Sequence, residues 1–79
     1  VNELEDAQKM LISSLEIAEE IQDLSGILVA KWGLADLAEI SDQPDEAMVQ
    51  LSDIMTAFME AGEISPPAVS ARVAKLTSS

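Results

Sequence analysis

Three short clusters of turn-forming residues, QDLSG at 22–26, SDQPDEA at 41–47 and ISPPAV at 64–69, cut this chain into four stretches. Each stretch carries apolar residues at steps of three and four, the spacing that draws a stripe along one face of an α-helix. Connections of about three to five residues leave no room for a crossover, so consecutive helices must run antiparallel. The expected fold is all-α: antiparallel helical hairpins made of four helices, over about 3–22, 26–40, 44–61 and 66–77, in one domain covering residues 1–79.

Leu4, Ala7, Leu11, Leu15, Ala18 and Ile21 form the expected core stripe of the first helix, with Asn2 as its cap and Glu5 as the return half of a capping box. Glu16, Glu19, Glu20 and Asp23 then fall on its solvated side. Ser25 is the expected cap of the second helix. There Ile27, Ala30, Leu34 and Leu37 mark one face, while Leu28, Val29, Trp32 and Ile40 spread apolar surface around the rest. A helix with so few charges is the central one, packed on more than one side. Its Gly33, Ala35 and Ala38 are small enough to admit a neighbouring backbone, which would offset the ~1 kcal/mol that a helical Gly costs relative to Ala.

Pro44 suits the first position of the third helix, and Asp45 and Glu46 place negative charge where the dipole favours it. Ala47, Leu51, Ile54, Met55 and Phe58 make its stripe, and Gly62 stops it. Met48 and Met59 extend the apolar spacing, which reads as core. Ser65 and Pro66 repeat the cap-and-proline device for a short fourth helix, with Val69, Val73 and Leu76 on one side.

The chain also matches itself at an offset of 40: Ala7 with Ala47, Leu11 with Leu51, Glu20 with Glu60, Ser25 with Ser65 and Val29 with Val69. Near-matches surround these identities, Leu15 with Met55 and Asp23 with Glu63 among them. Turns and core stripe recur together, as a stacked helical unit requires. WGLADLAEISDQPDEAMVQL resembles the first-helix and turn pattern of a tetratricopeptide repeat, with Leu34 and Ala35 at the Leu-small positions and Ala47 opening the second helix. LEDAQKMLISSLEIAEEIQD is similar to the second helix of a preceding repeat in the roughly forty-residue variant of that family. Lys31, Ala38 and Ile54 depart from the pattern, and Asp42 stands where the turn usually has Gly. The resemblance implies a right-handed array of hairpins that binds a peptide or protein without catalysis. A small four-helix bundle is the other arrangement this pattern allows.

Charge narrows the partners. Fifteen acidic residues against four basic ones leave −11, which opposes phosphate backbones and anionic membranes. No nucleic acid and no membrane are expected; a protein or peptide is, and a basic one fits. The alternative function is a self-contained acidic four-helix protein that masks a basic partner, as a small chaperone, inhibitor or nucleic-acid mimic would. No uncharged run approaches the ~20 residues that cross a bilayer, and no basic and apolar leader precedes the helices, so a soluble, cytoplasmic chain is expected. It begins with Val, as an excised domain or a processed product would.

Without His, Cys or Tyr, nucleophilic triads and thiol chemistry are excluded. Ser13 and Ser14 have no base, Lys31 has no marked catalytic neighbour, and no Gly-rich loop precedes a helix. Glu16, Glu19, Glu20 and Asp23 at helical spacing read as a solvated stripe rather than a metal site. No catalytic residue, cofactor or metal is expected. In tetratricopeptide arrays the concave surface is lined mainly by the first helix of each pair, so the resemblance implies partner binding through Leu28, Lys31, Trp32, Asp36 and Glu39. End helices with exposed apolar seams would permit self-association.

Overall fold

The computed structural model describes residues 3–78. It contains four helices, α1 (Glu3–Glu20), α2 (Leu24–Ile40), α3 (Pro44–Glu60) and α4 (Pro67–Thr77), and no strand among the described residues. The all-α reading holds, with boundary corrections that have physical causes. Asn2, the expected first cap, lies outside the described residues.

One turn geometry closes each of the first three helices. Gln22, Asp42 and Gly62 take φ of 58°, 59° and 75°. The next residue in each case donates its N–H back into the helix, Asp23 to Ala18, Gln43 to Ala38 and Glu63 to Phe58, all at 2.8 Å. Gln22, Asp42 and Gly62 themselves donate to Glu19, Glu39 and Met59. This paired arrangement is the Schellman motif, which satisfies carbonyls left open at a helix end. It recurs at 22, 42 and 62, so the backbone repeats every 20 residues, half the offset visible in the side chains.

The motif explains the corrections. Because Gln22 turns into the left-handed region, α1 ends at Glu20 and not near 22. Asp23 then becomes the residue before α2, which starts at Leu24 ahead of the expected Ser25 cap. Asp23 makes no side-chain capping bond there. At α4 the second proline takes the first turn: Pro66 is the cap residue and Pro67 opens the helix, in place of Ser65 and Pro66.

The helices do not close into a bundle. α1 packs on α2, α2 on α3 and α3 on α4, and no other pair of helix backbones comes close among the described residues. The Cα extents are 41 × 34 × 14 Å, a slab about two packed helices deep. A closed two-by-two bundle would be that narrow in two directions. The four helices therefore form an open arrangement in which contacts follow chain order.

The core lies in α2, α3 and α4. Ala35, Ala38, Ala47, Leu51, Ile54, Phe58 and Val69 are buried together, with Leu24, Leu28, Trp32, Met55, Val73 and Leu76 packed around them. The expected stripe of α3 is thus buried, with Met55 half-buried. Met59, expected in the core, stands 72% exposed because it lies one residue, about 100°, round the helix from Phe58. The stripe of α1 is only partly buried: Ala18 alone is fully buried, Ala7, Leu11 and Leu15 are half-buried, and Leu4 and Ile21 are exposed, Ile21 at 66%. Small residues set the α1–α2 spacing. A Cβ on Gly33 would lie 2.9 Å from a Leu11 methyl, and one on Gly26 2.9 Å from the Ala18 Cβ.

Candidate functional site

Arg72 joins two helices whose backbones do not touch. From α4 its guanidinium stacks over the Trp32 ring of α2, 4.5 Å from the centroid. It donates to Asp36 at 2.6 Å and to Glu39, both one and two turns further along the same face of α2. Burial works against the charge of Arg72, but hydrogen bonds to Glu39 and Asp36 outweigh it and hold the pKa above the ordinary guanidinium value. The side chain is only 14% exposed, so it is as much a packing element as a charge. A planar guanidinium suits this double duty, since it stacks on a ring while its edge donates.

Two recesses open beside this contact and share Trp32. One, of about 310 Å³, is lined by Leu28, Val29, Trp32, Pro66, Ala68 and Val69, with no charged group in its wall. The other continues along the α2/α4 seam past Arg72 to Lys75 and Leu76. Together they form a furrow with an apolar start and a charged continuation. Val29 stands at its rim, 68% exposed. The six-residue link from α3, residues 61–66, places Pro66 at the mouth of the apolar recess.

The five residues predicted from the sequence are divided by this geometry. Leu28 and Trp32 line the furrow and also pack against the core. Glu39 lines its charged continuation, while Asp36 lines neither recess and is joined to it through Arg72, which engages both carboxylates. Lys31 does not belong with them. Its ammonium lies 3.4 Å from Asp53 of α3, and its side chain is 12% exposed, so it fills the α2/α3 seam. Lys31 occupies the position that Leu11 and Leu51 hold one 20-residue unit away on either side, and its alkyl stem takes the place of an apolar side chain there.

Sequence reasoning missed Val29, Pro66, Ala68, Arg72 and Lys75 as furrow residues. Four of the five lie on or before α4, and only its docking beside α2 brings them to Trp32. The signal available was the basic pair of a short helix in a strongly acidic chain. Elsewhere, Glu16, Glu19, Glu20 and Asp23 are all exposed, and no three acidic groups among the described residues converge as metal ligands would. No described helix is long and apolar enough to cross a membrane. No protein-family model, curated protein or solved structure matches the chain.

Proposed function

We propose that this chain is a non-catalytic protein-interaction module, a tetratricopeptide-like scaffold that receives a peptide or protein segment along the α2/α4 furrow. The observation that carries this reading is the apolar recess beside Trp32, left open because the helices stack in a line instead of closing. An apolar recess with a few placed polar groups next to it is the usual form of a recognition site. In the register of the resemblance, α2 and α4 are first helices of successive pairs, and the bridge from Arg72 to Asp36 and Glu39 is consistent with that placement. Leu28, Val29 and Trp32 then offer the anchor pocket. Arg72, Asp36, Glu39 and Lys75 set the polar register beyond it.

Selection from a peptide library on the immobilised chain tests this reading. Selected peptides should carry a common apolar anchor, and Val29→Asp should weaken them by about tenfold or more by placing a charge at the pocket rim. Their affinity should change little with salt, because apolar contacts in the recess dominate. Enrichment of basic peptides that ignore Val29→Asp and lose affinity steeply with ionic strength would replace the furrow by electrostatic masking.

A further inference from the structure

A second recess lies at the end of the slab where α1 and α3 finish. It holds about 430 Å³, with Leu24, Ile27 and Ala57 as apolar floor and Glu19, Glu60 and Glu63 on its rim. Next in sequence to its lining residues Gln22 and Glu63 the chain exposes two large apolar side chains, Ile21 at 66% and Ile64 at 94%. Single exposed apolar residues are ordinary, but two that flank the lining of an apolar recess extend it as an unpartnered surface.

Charge says what covers it. None of the Glu19, Glu60 and Glu63 side chains has an ion pair or hydrogen bond among the described residues. No basic residue stands in the last turn of α1 or of α3. Three carboxylates without a partner on one rim therefore favour a cation there. Arg72 is engaged in the furrow and Lys31 in the α2/α3 seam, so neither supplies that cation. We infer that this end of the array is a second docking surface, for an amphipathic basic segment of a protein partner that places an apolar side chain on Leu24, Ile27 and Ala57 and flanking Lys or Arg on Glu19, Glu60 and Glu63. A second copy of this chain is disfavoured as occupant by the shared charge of −11.

Binding of a synthetic amphipathic helical peptide of Leu and Lys, followed by fluorescence anisotropy, tests the assignment against the same peptide with Glu for Lys. The Lys peptide should bind and the Glu peptide should not. The triple variant Glu19→Lys, Glu60→Lys, Glu63→Lys should lose about tenfold or more in affinity. Its fold is protected, because the new charges favour the helix C-termini they occupy. Glu3→Lys, Asp6→Lys, Asp45→Lys changes net charge equally at the opposite end. Because its cations oppose the helix N-termini they occupy, it is compared at a temperature where its helical circular dichroism matches the parent. There it should lose less than about threefold. Ile21→Ser with Ile64→Ser should also weaken binding with no change of charge. Equal losses in the two charge-reversed triples, indifference to the serine pair, or no binding of the Lys peptide would each overturn the proposal. Val29→Asp in the α2/α4 furrow should leave this affinity within about twofold, which separates the two surfaces.

Discussion

Gln22 holds a backbone conformation that an unbranched L-residue adopts only at a cost. The same φ is met at Asp42, whose short side chain tolerates it better, and at Gly62, which has no side chain to strain. Three residue types therefore occupy one turn geometry, and they should rank by that strain. Gln22→Gly is expected to stabilise the chain by about 0.5–1 kcal/mol and Asp42→Gly by less, since relief of strain is partly offset by a freer unfolded chain. Gly62→Ala is expected to cost about 1 kcal/mol although open space surrounds it, because the penalty lies in the backbone and not in a clash. Urea denaturation of the three variants measures the ranking; equal effects at all three would mean that the turn conformation carries no strain. At this scale the sequence was least legible. Gly62 announces a helix stop and Asp42 sits in an obvious turn, but nothing about Gln22 signals a left-handed residue, so the apolar spacing carries the first helix two residues past Glu20.

Between elements, α4 is held to α2 by side chains alone, and Arg72 provides the polar part of that link. Asp36 and Glu39 are roughly half exposed, so each ion pair contributes only about 0.2–1 kcal/mol, and the stacking on Trp32 adds about 0.5–1. Arg72→Ala should then cost about 1–2 kcal/mol. Arg72→Lys should recover only part of it, because an ammonium cannot stack and bridge both carboxylates at once. Amide hydrogen exchange locates the effect: protection should fall in α4 first, with α2 and α3 nearly unchanged. Uniform loss across all helices would instead assign Arg72 to the common core. The elements and their order were legible, because short turns and a 3.6-residue stripe are local signals. Leu28, Lys31, Trp32, Asp36 and Glu39 come together through the tetratricopeptide resemblance and not through a local signal of this kind. The partner of Trp32, Asp36 and Glu39 was not legible, since Arg72 lies 36 residues from Asp36 and the choice between array and bundle depends on packing between distant segments.

For the whole molecule, the balance of charge should decide how stability responds to salt. Fifteen acidic groups share a slab 14 Å thick with four basic ones, and only Lys31 and Arg72 form the ion pairs found among the described residues. Most carboxylates therefore share one small volume with few cations to offset them. Unfolding lets them separate, so repulsion destabilises the compact state. Salt shortens the reach of these forces from about 10 Å at 0.1 M toward about 3 Å at 1 M, which weakens the many repulsions more than the few partly shielded attractions. Tm should rise by several degrees between about 0.05 and 0.5 M NaCl, a change on the order of 1 kcal/mol in a chain of this size. The open array sharpens this expectation, because α1 buries only Ala18 completely and has little apolar contact to set against its own charge. A Tm that falls with added salt would mean that the Arg72 and Lys31 pairs outweigh the repulsion, and that attraction between neighbouring helices, not burial alone, keeps the array together.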